Sequence, residues 1–373
     1  MIESSLRLGT VAGIRIGLHY TWFVIFLMLS ASLTALFQAE HADWGFSQAL
    51  ATALATTLLF FASIVLHELG HSLVAIRRGV PVRAITLFIF GGVAQTEKDS
   101  DSAQTEFWIA IAGPAVSLVL AAAFYLLYLV AEPWSAPAAV ACDWLAHINF
   151  MVAAFNLLPG FPLDGGRVFR ALVWGLTGDA GKGMRWAVAG GRTLAYGLMF
   201  LGLLVVIQTG LVFNGLWLAA IGWFLLTAAE GSARSFALNR LLGGLKAGDV
   251  MEPKPPTVPP RLTVQAWVDE HVLAGGQRAF LVAEGGRTLG LVTLADAQRL
   301  ARAQWPQATV SDIMTPVDRL QAVAPETSVV EVLRLMQRHG FNQVPVAVDG
   351  EIRGWIDRPR LLQLVELHAE VGR

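Results

Sequence analysis

Two histidines and a glutamate occur together in the run His67-Glu68-Leu69-Gly70-His71. On an α-helix, positions i and i+4 share a face, so both imidazoles can hold one metal ion. Neutral imidazole suits Zn²⁺, and a catalytic zinc takes three protein ligands and keeps a fourth position for water. Glu68, between the two histidines, is placed to take a proton from that water as it attacks a carbonyl. The spacing points to hydrolysis at one zinc ion per chain.

A third ligand is required. Asp164 closes the run Asn156-Leu157-Leu158-Pro159-Gly160-Phe161-Pro162-Leu163-Asp164-Gly165-Gly166. The prolines and glycines end a helix here and expose backbone, which at membrane depth belongs beside a wet cavity and not against lipid. On residue type alone, the commoner meaning of such an aspartate is a cap on the following helix. Asp143 is the rival ligand, about 30 Å from Asp164 along the same span by helical rise.

The elements that must carry these residues are membrane spans. Of the 373 residues 55% are hydrophobic and 15% charged, too apolar a balance for an ordinary soluble chain. Uncharged runs cover Tyr20–Phe37, Ala49–Leu66, Phe107–Ala131, Trp144–Leu163 and Thr193–Ala229. A span needs ~20 apolar residues, and the last run is long enough for two, with Gln208-Thr209-Gly210 and Asn214-Gly215 offering the turn. About six spans result. His67, Glu68 and His71 then end the second span, where ionisable side chains mark a functional site by default. The first run lacks a clear small-residue cleavage site and reads as an anchor.

With alternating spans, every Lys and Arg of residues 1–232 falls on one side: Arg7, Arg15, Arg77, Arg78, Arg83, Lys98, Arg167, Arg170, Lys182, Arg185 and Arg192. That bias places both termini in the cytosol of a multi-pass cell-membrane protein. A net charge of −1 gives no reason to expect a nucleic-acid partner. The single cysteine, Cys142, excludes an intrachain disulfide and reads as a buried small side chain. Val80–Gln95 is rich in β-branched and aromatic residues, with Gly91-Gly92 as a break, and predicts one or two strands dipping into the membrane domain. Such a segment can be a plain structural hairpin, or it can add an unwound substrate peptide as a further strand.

The remainder of the chain repeats itself. Gly248-Asp249-Val250-Met251-Glu252-Pro253 returns as Ser311-Asp312-Ile313-Met314-Thr315-Pro316, and Ala279–Ala283 returns as Val344–Val348. Two strand-and-helix modules can bury a shared face that one alone would expose.

The His67–His71 motif, the Ala112-Gly113-Pro114-Ala115-Val116-Ser117 element and the Asn156–Gly165 run together resemble the site-2 protease family, in which the Gly-Pro element opens the third core helix. The resemblance covers most of residues 10–230. It implies zinc on His67, His71 and Asp164, Glu68 as general base, and Asn156 and Pro162 as residues that hold or shape the substrate site. It also implies cleavage in membrane-spanning segments of regulatory proteins, of the anti-sigma-factor or sigma-factor-precursor type. The repeat resembles paired cystathionine-β-synthase (CBS) domains, a regulatory module that often binds adenine nucleotides such as ATP or AMP and associates into dimers. The family's ribose- and phosphate-contacting pair matches Thr293 and Asp296; the second repeat departs, with Asp357 and Arg360 in those places. A pair used only for dimerisation is the other reading.

The expected fold is a polytopic α-helical membrane domain with a short membrane-dipping β segment, followed by a soluble α/β tandem CBS module. The expected boundaries are 1–235 for the protease domain, 236–246 for a linker, 247–305 for the first CBS domain and 306–368 for the second. The expected function is regulated intramembrane proteolysis by a zinc metalloprotease. A CBS-regulated transporter or channel, or a catalytically silent protein that binds membrane helices, are the alternatives; neither requires His67, Glu68, His71 and Asp164 together.

Overall fold

The computed structural model describes residues 6–89, 91–96, 100–361 and 363. Lys98 and the end of the second CBS segment, 362 and 364–368, lie outside the described residues. The chain forms two compact units that meet between Arg234 and Ser235.

The first unit opens with a hairpin of β1 (Leu6–Val11) and β2 (Ile14–Leu18), closed by Ala12 and Gly13, both with positive φ. That backbone matches the twist of a tight hairpin. Then follow α1 (Thr21–Glu40), α2 (Phe46–Arg77), β3 (Val82–Phe88), β4 (Gly91–Thr96), α3 (Ala103–Ala131), α4 (Ala136–Asn156), α5 (Asp164–Thr177), α6 (Ala180–Thr209) and α7 (Val212–Leu242). Among the described residues, six helices are long and apolar enough to cross a membrane: α1, α2, α3, α4, α6 and α7.

Where the helices begin and end departs from the uncharged runs. Charge density moved the expected starts inward, whereas α2 keeps its ladder through His67–His71 to Arg77 and α4 runs through Asp143. Helix α4 stops at Asn156, because Pro159 and Pro162 cannot continue it. The turn between α6 and α7 falls at Gly210-Leu211, with Gly210 in the left-handed region as the cap.

Two elements were not foreseen. The β1–β2 hairpin extends the expected β segment into a four-stranded sheet of order β1-β2-β3-β4, with β2 and β3 parallel and the other pairs antiparallel. Ile14, Ile16 and Leu18 face its core while Arg15 is exposed, the period-2 pattern of a half-buried strand. Helix α5 is not among the expected spans. It is a short amphipathic helix whose buried positions are Gly165, Gly166, Arg170 and Ala171.

Packing between the spans is satisfied internally. Helix α3 lies against α2, α4 and α5. The buried hydroxyls of Thr34, Thr56 and Thr57 donate to carbonyls one turn back at 2.7–2.8 Å, so these side chains are satisfied within their own helices.

The second unit contains two modules whose sequence repeats are exchanged in space. The short helix α8 (Ala247–Val250) packs with α12 (Val329–His339), β9 (Gln343–Val348) and β10 (Glu351–Asp357), all from the second repeat. Glu252, just after it, exchanges backbone hydrogen bonds with Trp355 of β10. Reciprocally, α11 (Val310–Ile313) packs into the first module, and Thr315-Pro316 pairs with the strand Arg287–Thr293. Each repeat thus donates its first turn to the core of the other, which ties the modules into one fold.

Candidate active site

Helix α2 carries His67 and His71 on its buried face, 4% and 7% exposed. Their Nε2 atoms lie 3.2 Å apart. Asp164 stands in the first turn of α5, where a carboxylate is favoured by the helix dipole. Leu163 occupies the cap position, and no side-chain cap is made there. The carboxylate instead turns to the histidines, its Oδ2 lying 3.2 Å from His67 Nε2 and 3.1 Å from His71 Nε2. Asp143, the rival, stays on α4 beside His147 at 3.4 Å.

The outer nitrogens of both rings are held. His71 Nδ1 lies 2.6 Å from the carbonyl oxygen of Ile109, and His67 Nδ1 lies 2.8 Å from Ser117 Oγ. A carbonyl only accepts, so the His71 ring proton is on Nδ1 and a lone pair on Nε2 faces inward. Lone pairs from the imidazole and the carboxylate then converge on one point, an arrangement that a cation reconciles. Tetrahedral ligands about 2.0–2.1 Å from a divalent ion stand about 3.3 Å apart, close to the separations observed. The donor set therefore fits a divalent metal held by His67, His71 and Asp164.

Backbone shape leaves room for this centre. A Cβ on Gly113 of α3 would collide with His71 Nε2 and lie 2.6 Å from His67 Nε2. Pro114, next to it, cannot donate to the carbonyl one turn back, which relaxes the helix ladder beside the Ile109 carbonyl that His71 uses. The Gly-Pro element thus lies in the middle of α3, not at its opening as the resemblance implied. Glu68 sits against β4, where a Cβ on Gly92 would come within 2.6 Å of its Cγ. The edge strand of the sheet therefore passes directly over the general-base candidate.

Asp164 is reached through a clamped loop. Asn156 and Pro162 are half-buried, one at the end of α4 and the other near the start of α5, and the Phe161–Pro162 peptide is cis. Phe161 N donates to Ala187 O of α6 at 3.0 Å. Gly190 and Gly191 of α6 and Gly165 and Gly166 of α5 touch this loop so closely that a Cβ on any of them would strike its backbone. In the tail, Thr293 and Asp296 face each other as the cap of α10 (Leu294–Gln298), with Asp296 Oδ2 accepting from Thr293 N at 2.9 Å and Oγ1 at 2.7 Å.

Sequence reading missed several supports. Ser117 lies inside the Gly-Pro element with no role assigned to it, and nothing in the local sequence around Gly190-Gly191 or Glu106 ties them to the site.

The model of peptidase family M50 matches residues 55–143 and 130–189, and the CBS domain model matches 247–302 and 310–366. A Synechocystis sp. protein whose name assigns it to the zinc metalloproteases is 33% identical over 99% of this chain and 97% of its own length. A zinc metalloprotease of Methanocaldococcus jannaschii is 29% identical over 98% of both chains. The solved site-2 protease of that organism is 31% identical, covering 61% of this chain and 94% of its own, with a TM-score of 0.43. The full-length match, the M50 core and the paired repeat show that the chain belongs to the site-2 protease (M50) family with a C-terminal pair of CBS domains.

Proposed function

We propose that this metallopeptidase is an intramembrane zinc protease that cuts a peptide bond in or near a transmembrane segment of a regulatory membrane protein, of the anti-sigma-factor or sigma-factor-precursor type. The observation that carries this reading is the convergence of Asp164 Oδ2, from α5, on His67 Nε2 and His71 Nε2 of α2, a helix that also carries Glu68 and is apolar enough to cross a membrane. Bound zinc supplies a Lewis acid that makes a water molecule acidic near neutral pH. Glu68 is the residue that would accept a proton from the attacking water and pass it to the leaving amine as the C–N bond breaks, and His67, His71 and Asp164 would hold the metal. Asn156 and Pro162, at the two ends of the clamped loop, shape the surface on which the substrate rests.

A helical substrate hides its carbonyls in its own hydrogen bonds and must unwind first. Strand β4 is a sheet edge and lies over Glu68, so an unwound peptide that pairs with it is delivered to the reacting groups. Proline substitutions along β4 that leave the fold intact slow cleavage if this is the route.

The tail is read as the regulator. An adenine nucleotide such as AMP or ATP, held through Thr293 and Asp296, gates cleavage, and pairing of tails makes a homodimer. The first module also has a cleft of about 630 Å³ walled by Val268, Asp269, Leu294, Gln298, Arg302 and Trp305. Both termini are cytosolic, as the basic residues require, and reporter fusions at each end test that placement.

The deciding experiment compares membranes containing the active chain with membranes containing Glu68→Gln. Membrane proteins that stay intact only with the variant are the substrates. A Glu68→Gln chain that cleaves at the normal rate overturns the mechanism, and a cleavage rate indifferent to AMP and ATP overturns the gating.

A further inference from the structure

A second group of charges lies between α3 and α5, outside the proteolytic step. Glu106, in the first turn of α3, is 2% exposed. Its carboxylate accepts from Arg167 Nε at 3.0 Å and from Arg167 Nη2 at 3.5 Å, and Arg170 Nη2 lies 3.2 Å from the same group. Glu106 and Arg170 are taken out of water and Arg167 is half-buried; such a cluster is a weak device for stability alone.

Its place in the fold suggests what it does instead. Arg167 is one helical turn beyond Asp164, so the two residues share a face of α5. Asp164 reaches both histidines through a single oxygen. An atom about 5 Å from a helix axis moves about 1 Å when the helix turns by 10°. Metal–ligand distances tolerate only about 0.2 Å. Glycine contacts at Gly165 and Gly166 seat the start of α5 on the loop before it. On the same turn, the two-pronged grip of Arg167 on Glu106 ties α5 to α3, the helix that also holds the outer nitrogens of both histidines.

We infer that Arg167 is a positioning residue for the metal centre: anchored on Glu106, it fixes the turn of α5 that presents Asp164 Oδ2 to His67 and His71. The inference rests on the zinc reading above and names a residue through which that site is held. Arg170 shares the carboxylate but lies two turns from Asp164, so it staples α5 to α3 without aiming the ligand.

The test uses the purified full-length chain and zinc itself, with affinity read by chelator competition. The visible spectrum of the Co²⁺-loaded chain reports the ligand geometry. Arg167→Met weakens zinc binding about 10–100-fold, the usual cost of losing a group that orients a ligand, and changes the Co²⁺ spectrum. Arg167→Lys, which keeps the charge and loses the fork, weakens zinc to a lesser degree. Arg170→Met lowers the thermal midpoint and leaves zinc affinity within about twofold, well below that 10–100-fold range. Wild-type affinity and spectrum in both Arg167 variants overturn the inference, as does an equal loss of zinc in Arg170→Met. A wild-type chain that takes up no zinc overturns the protease reading and this inference with it, an outcome distinct from the other two.

Discussion

His71 donates its Nδ1 proton to the carbonyl of Ile109, one turn before the Gly113-Pro114 pair that leaves the centre open. The same helix therefore orients one ligand through its backbone and, through Ser117 Oγ, a second. Helix α3 contributes none of the three candidate ligand atoms, yet its Ile109 carbonyl fixes which nitrogen of His71 is free to bind and its Ser117 hydroxyl holds Nδ1 of His67. The ligand set comes from α2 and α5, and its chemistry is set by the helix packed against both.

Ser117→Ala removes the hydroxyl 2.8 Å from His67 Nδ1 without altering the helix. Zinc affinity should fall about 10–100-fold, because the ring loses the partner that fixes its orientation. Chelator competition on the purified chain measures the change. Unaltered affinity would mean that the serine contact only fills space.

Gly113→Ala acts by volume. Its Cβ would overlap His71 Nε2 and crowd His67 Nε2, so the variant should lose stoichiometric zinc and cleavage together. Gly175→Ala is the matched control, since its Cβ would meet only Ala103 Cβ at 3.7 Å. That change should stabilise α5 by about 0.5–1 kcal/mol, the helical preference of alanine over glycine. A Gly113→Ala chain that keeps a full zinc ion would contradict the close approach.

The parts of the site visible in the sequence were those whose spacing is local. His67 and His71 are one helical turn apart, so a helix alone brings them together. Asp164 was found because prolines and glycines around it forecast irregular backbone. Glu106 and Arg167 are separated by 61 residues, and no local pattern pairs them. The β1–β2 hairpin escaped because its apolar positions, Ile14, Ile16 and Leu18, are too few to stand out beside an apolar helix. The exchange of α8 and α11 between modules was hidden for another reason: a repeat shows which segments are alike, not which copy each one packs against.

Asp312 gives the tail a pH-dependent contact. Its Oδ2 accepts from Thr309 N at 2.8 Å and Thr309 Oγ1 at 2.7 Å, capping α11 where Val310 enters the core of the first module. The hydrogen bonds from the Thr309 amide and hydroxyl favour the ionised form and hold the carboxyl below its ordinary range. A carboxyl lowered on folding contributes stability that is complete above its unfolded value, about 3.9, and lost as pH falls through the lower folded value. Hydrogen exchange in the α11 region of the full-length chain should therefore separate wild type from Asp312→Asn near neutral pH, and the gap should close below about pH 4. A gap independent of pH would show that charge on Asp312 is irrelevant to the cap.

Gly92→Val distinguishes the proposed role of Glu68 from that of the proposed metal ligands. A side chain at residue 92 must enter the space of Glu68 Cγ, 2.6 Å from where its Cβ would sit, whereas the close contacts of Gly113 are with the histidines. Displacing Glu68 removes proton transfer, a contribution of about 10²–10⁴-fold in rate. The variant should keep its zinc and lose at least about 10²-fold in kcat, the reverse of Gly113→Ala, which should lose both. The measurement is zinc content and single-turnover cleavage on the same preparation. If Gly92→Val loses zinc in proportion to activity, the strand bears on the ligands and not on Glu68. If it keeps both, the edge strand stands farther from the reacting carboxylate than the contact implies. Retained zinc with lost turnover is the one result that assigns the strand and the general base to the same step.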